Sequence, residues 1–177
     1  MEHPASRRHG RPPRLPGYDY TAPGVYFLTL SCWNRRQVFG QCVGNKIQLN
    51  DWGLSVEDEW LRTPLIRPYV RLDEYVIMPD HLHGLIFWDN DPVENVGPQR
   101  VAGSELYRPA ASLGSFVARF KAACTKRINA LRSGYDPPVW QRNYYEHIVR
   151  NQRSLNRIRQ YIVDNPRRWS LRSDGEI

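Results

Sequence analysis

The sequence has no apolar run approaching the roughly 20 residues needed to cross a bilayer, and its N-terminus lacks the apolar segment of a secretory signal. A soluble, cytoplasmic protein with no membrane partner is therefore expected. Cysteine is also scarce. Cys32, Cys42 and Cys124 are odd in number, widely spaced and without a CxxC pair, which speaks against a disulfide framework and against a cysteine zinc site. They are expected as reduced thiols in the core. Internal repeats are absent. The 177 residues, 41% of them hydrophobic, suffice for one ordinary core but not two, so a single site is sought in a single domain spanning residues 18–177.

What is abundant is positive charge, and it is unevenly spread. Residues 1–44 hold six Arg against two acids, residues 45–94 hold four basic residues against ten acids, and residues 119–177 hold thirteen against five. In that last segment Arg outnumbers Lys eleven to two. A guanidinium can grip phosphate oxygens with two parallel hydrogen bonds and stack on bases, so this composition points to nucleic acid. The alternative is a solvated basic face. Residues 1–17 combine four Pro and four Arg with almost nothing apolar to bury, and read as a mobile basic arm.

Residues 24–33 (GVYFLTLSCW) are aromatic and β-branched, a strand pattern. Asn50 or Asp51 can cap a helix in which Trp52, Val56 and Trp60 recur every four residues, and which should stop before Pro64. Residues 69–78 and 81–88 flank Pro79 and Asp80 and read as a hairpin. Residues 89–111 form a long connecting loop. Ser112 then caps a helix with an apolar stripe at Leu113, Phe116, Val117, Phe120, Cys124, Ile128 and Leu131, ended by Ser133 and Gly134. A short strand is expected near residues 144–149, and a last helix from Ser154 to Pro166. The order β-α-β-β-α-β-α fits an α+β sandwich of the ferredoxin-like type, a small antiparallel sheet with helices packed on one face.

His81 and His83 stand at i and i+2 of a strand and so share a face, where both imidazoles can meet one ion. They can equally be two histidines on a half-exposed sheet face. In the last helix Leu155, Ile158 and Ile162 mark the buried stripe and Tyr161 lies at its edge, with Asn165 one turn further along. An edge position suits a phenol facing a cleft, and it suits a boundary tyrosine as well. His147, Trp140 and Trp169 carry no assigned chemistry. Tyr144 and Tyr145 beside Arg142 can stack on bases or simply build a strand.

Three motifs in order, VIMPDHLHGLI (residues 76–86), WQRNYYEHIVR (140–150) and YIVDNPRRW (161–169), resemble those of the REP-associated tyrosine transposases, part of the single-tyrosine HUH superfamily. The resemblance runs from about Gly24 to Trp169. It implies a ferredoxin-like nuclease core that cleaves single-stranded DNA near a palindromic hairpin and rejoins strands. By that resemblance His81 and His83 match the metal-binding pair, Tyr161 matches the nucleophile, and Asn165 occupies the place of a polar third ligand. The implied ion is Mg²⁺ or Mn²⁺, of which Mn²⁺ suits two imidazoles better. Arg119, Lys121, Arg142, Arg150, Arg157, Arg167 and Arg168 are the candidate DNA contacts, in a monomer or a homodimer. The competing readings are a nucleic-acid-binding module without catalysis and a host-domesticated nickase of palindromic repeats.

Overall fold

The computed structural model describes residues 17–89, 112–132 and 137–173. Nearly all of the expected basic arm and of the long loop, and the Ser133-Gly134 helix stop, lie outside these residues. Four strands, β1 (Gly24–Ser31), β4 (Val70–Met78), β5 (His81–Trp88) and β6 (Tyr145–Val149), form a sheet in the order β4-β5-β1-β6, with every neighbouring pair antiparallel. With helices α1 (Asp51–Leu61) and α3 (Leu113–Leu131) as its crossovers, this is the expected α+β sandwich.

Alternation along the strands divides the sheet into two faces. Tyr26, Leu28, Leu30, Leu82, Ile86 and Trp88 pack against Val56 and Trp60 of α1 and the stripe of α3 that starts at Leu113 and ends at Ile128. On the opposite face Phe27, Leu85 and Val149 pack against Leu155 and Ile162 of α4 (Gln152–Val163). The central strands are thus covered on both sides, which is why β5 reads as a nearly continuous buried run. Each fully buried aliphatic side chain contributes about 1.5–3 kcal/mol. The Leu155 and Ile162 anchors therefore decide where α4, and Tyr161 with it, can sit.

Local chemistry explains the helix starts. Asn50 is the cap of α1, its side chain accepting from the backbone N–H groups of Trp52 and Gly53. Ser112 caps α3 by accepting from Ser115 N–H. α1 stops at Leu61, before Pro64, which opens the single-turn helix α2 (Thr63–Ile66).

Four expectations need correction. The first strand ends at Ser31, and Trp33–Arg35 turns as a 3-10 helix. Residues 40–49 form an additional hairpin of β2 (Gly40–Val43) and β3 (Lys46–Leu49). The last helix is capped by Asn151, whose side chain accepts from Ser154 N–H, and Ser154 lies inside it. Nor does Pro166 end helical structure: it sits in the first turn of a further helix, α5 (Asn165–Ser173), where its missing N–H would be unpaired in any residue. Cys32 and Cys124 are buried as expected, whereas Cys42 is half-buried on β2.

Candidate active site

β5 brings His81 and His83 to the face shared with α4, and its register against β1 sets Ser31 opposite His81 and Thr29 opposite His83. Both imidazoles are buried, at 4% and 6% exposure. Their Nε2 atoms stand 3.0 Å apart. Behind them each Nδ1 has a partner: Asp80 Oδ1 contacts that of His81, and Thr29 Oγ1 lies 2.8 Å from that of His83.

These partners decide what the inner nitrogens can do. The Asp80 carboxylate only accepts, so His81 Nδ1 donates to it and the ring turns its Nε2 into the cleft. His83 is held neutral: burial, then the nearby His81 and Arg35, push its pKa down to about 3. His83 turns its Nε2 to that of His81 at 3.0 Å, where the two nitrogens can share one proton or ligate one cation.

The spacing fits one ion. Nitrogens about 2.1 Å from an octahedral centre and at right angles to one another stand about 3.0 Å apart. Among the described residues no three His, Cys, Asp or Glu side chains gather around one point, so a third protein ligand would have to be an amide or a hydroxyl. Asn165 is such a group. It is 7% exposed and lines the same cleft, from the first position of α5.

The cleft encloses about 130 Å³ between Thr29, Arg35, His81, His83, Tyr161, Asn165, Arg168 and Trp169. Tyr161 is half-buried, as its edge position predicts. Its hydroxyl is 3.3 Å from His83 Nε2, so whatever binds that nitrogen stands beside the phenol oxygen. Phe27 fixes the ring edge-on at 6.1 Å, and the Arg168 guanidinium lies 5.5 Å from its centroid. The four site residues read from the sequence thus converge, although Asn165 reaches the cleft across a helix junction and not from the helix of Tyr161.

The candidate DNA contacts do not form one patch. Arg168 belongs to the cleft, while Arg150, Arg157 and Arg167 are exposed around it in sequence, at the end of β6 and on α4 and α5. Arg119 is exposed on α3. Lys121 and Arg142 line a separate groove of about 600 Å³ between α3 and residues 138–142. There the Lys121 ammonium donates to the backbone carbonyls of Gln141 at 2.7 Å and Asn143 at 2.9 Å, and burial lowers its pKa to about 8. It braces that segment from within. Trp140 is core packing against Phe39 and Phe120, Tyr145 is exposed beside Phe27, and Tyr144 is half-buried with Lys121 5.9 Å from its ring centroid.

Asp80, Thr29, Arg35 and Trp169 are the members that sequence reasoning passed over. Asp80 could have been found as the carboxylate next to a histidine pair. Thr29 and Arg35 come from β1 and the turn after it, and no local pattern ties them to residues 50 positions away.

No family model matches the chain. It is 40% identical over 172 residues to an uncharacterized protein of Haemophilus influenzae, covering 93% of this chain and 92% of that one. Over 150 residues it is 25% identical to a second Haemophilus influenzae protein, named "Putative REP-associated tyrosine transposase", covering 84% and 73% respectively. Among solved structures, a REP-associated tyrosine transposase bound to a REP hairpin shares the fold with a TM-score of 0.57 at 18% identity, over 85% of this chain and 71% of that one.

Proposed function

We propose that the chain is a REP-associated tyrosine transposase, similar to the relative of that name, and that it nicks and rejoins single-stranded DNA beside a palindromic hairpin, with Tyr161 as nucleophile. The observation that carries the proposal is the meeting of the Tyr161 hydroxyl with the His81 and His83 pair in one cleft, 3.3 Å from His83 Nε2. Hairpin DNA is the proposed substrate class because the solved relative is bound to one and because this chain carries exposed arginines next to the cleft in sequence.

A phenol is a weak nucleophile at neutral pH, since its ordinary pKa is about 10. His81, His83 and Asn165 would hold a divalent ion, Mg²⁺ or Mn²⁺, which when bound would stabilise the negative charge that develops as the phosphodiester is cut. The protein's own residues do the rest. Leu155 and Ile162 seat α4 on the sheet, Phe27 holds the phenol ring, and Asp80 and Thr29 fix the two imidazoles. The Tyr161 oxygen attacks phosphorus and loses its proton. The bond from phosphorus to the 3′ oxygen breaks, and that oxygen leaves and takes up a proton. A 5′-phosphotyrosine and a free 3′-hydroxyl result, and attack by a 3′-hydroxyl reverses the step, so no nucleotide cofactor is needed.

The test is a denaturing gel after incubation with single-stranded hairpin oligonucleotides and Mn²⁺. A covalent protein–DNA band is expected from the wild type and none from Tyr161→Phe, while hairpin affinity in that variant stays within about threefold, since only one hydroxyl is lost. A band that persists in Tyr161→Phe refutes the nucleophile.

A further inference from the structure

The turn after β1 is strained, and the residue at its end faces the cleft. Asn34 and Arg35 adopt φ values of 50° and 56°. Asn tolerates this left-handed region, but Arg enters it only where its surroundings impose it. The backbone is held by Arg35 N–H donating to Cys32 O and Arg36 N–H to Trp33 O, each at 3.1 Å. The side chain is held as well: Nε pairs with Asp80 Oδ2 at 2.9 Å and Nη1 donates to Ser31 Oγ at 2.9 Å. Asp80 is 5% exposed and also contacts His81.

A guanidinium carries five N–H donors. Nη1 donates to Ser31 and Nε stands in ion-pair contact with Asp80; among the described residues the guanidinium has no other hydrogen-bond or ion-pair partner. The group lines the cleft together with His81, His83 and Tyr161. A cation pinned on one side, with donors left over on the other, is preorganised for an anion with several oxygens.

We propose that Arg35 is a catalytic residue that grips the scissile phosphate in the cleft that Tyr161 also lines. The assignment rests on the proposed cleavage reaction. It gives the strained turn a purpose, since relaxing Arg35 would withdraw the guanidinium from the place where Asp80 and Ser31 hold it. It also gives Asp80 two tasks, orienting His81 with one oxygen and Arg35 with the other.

Removing Arg35 would also disturb Asp80, so loss of activity alone does not separate phosphate binding from positioning. Affinity does. In the Tyr161→Phe background, hairpin binding is measured at fixed Mn²⁺ with two oligonucleotides. One has an ordinary phosphodiester at the cleavage position mapped from the wild-type adduct, the other a neutral methylphosphonate there. With Arg35 present, neutralising that phosphate is expected to weaken binding about tenfold, the worth of one charge-assisted contact, and with Arg35→Ala less than about twofold. Arg35→Gln, which keeps a hydrogen-bond donor for Asp80, is expected to behave like Arg35→Ala and serves if the smaller side chain fails to fold. Equal penalties with and without Arg35, alongside a Tyr161-dependent adduct, overturn the role of Arg35 alone. An adduct that survives Tyr161→Phe, or none from the wild type, overturns the cleavage reading and this proposal with it.

Discussion

Arg159 on α4 clasps Asp73 on β4, through Nε at 2.8 Å and Nη2 at 2.7 Å to the same carboxylate oxygen, two residues before Tyr161. Asp73 sits where the register between β4 and β5 slips, between Leu72 and Tyr75. The irregularity lifts a carboxylate out of the ladder and towards the helix that carries the phenol. The pair ties the helix of Tyr161 to the strand that neighbours the histidines.

Because the two side chains are 37% and 16% exposed, the pair contributes no more than about 1 kcal/mol to stability. Asp73→Ala should therefore lower Tm by only a few degrees. Its effect on adduct formation should be larger, about five- to tenfold, because a small shift of α4 moves the attacking oxygen. Exchanging the charges, Asp73→Arg with Arg159→Asp, should recover most of the rate. Single-turnover adduct kinetics beside thermal unfolding check this, and a rate loss no greater than the stability loss explains would contradict it.

Gly84 supports the histidines from the other face. A Cβ there would lie 2.4 Å from Cζ2 of Trp60, so the indole of α1 approaches β5 this closely only because the strand has no side chain at that point. Gly84→Ala should destabilise by about 1–3 kcal/mol through overpacking. Trp60→Leu in the same chain should lessen the clash, making the double variant more stable than the sum of the two single losses predicts. Denaturant unfolding of the four proteins checks both statements.

How much of this could be read from the sequence depended on whether the signal was local. Asn50 and Ser112 announced their helices because a capping side chain acts within three residues, and the facing of His81 and His83 followed from strand alternation. The β2-β3 hairpin escaped because its strands are four residues long and none of its side chains is fully buried. α5 is hidden because Pro166 reads as a helix stop, whereas a proline in the first turn of a helix is equally a start. Arg35 and Thr29 reach the site through pairing of β1 with β5, a tertiary relationship with no periodicity to betray it. The role of Tyr161 was likewise not legible from its helix position, which a boundary tyrosine shares.

His83 makes stability depend on pH in a defined window. Its pKa falls from 6.5 to about 3 on folding, so between these values the unfolded chain binds a proton that the fold refuses. Stability contributed by this group is complete above pH 6.5, declines as acid is added, by up to about 1.4 kcal/mol per pH unit, and levels out near pH 3. In metal-free buffer the wild type should lose stability faster than His83→Gln between pH 6.5 and 4.5, with no difference in slope above that. Parallel curves across the window would show that the ring is not held neutral.

On the proposed metal-dependent cleavage, Asp80 should govern how tightly His81 and His83 hold an ion. A carboxylate behind a ligating imidazole fixes the ring and raises its basicity, and losing one typically costs about 10–100-fold in metal affinity. Chelation with EDTA should abolish adduct formation and Mn²⁺ should restore it. Asp80→Asn keeps the size of the side chain but can no longer present a charge to His81. Its half-maximal Mn²⁺ concentration should therefore rise by about 10–100-fold, with much of the rate recovered at saturation. His81→Ala, which removes a ligand, should not recover at any Mn²⁺ concentration. A titration of adduct yield against Mn²⁺ separates the cases, because a carboxylate that merely braced the turn would lower the plateau and leave the midpoint where it was.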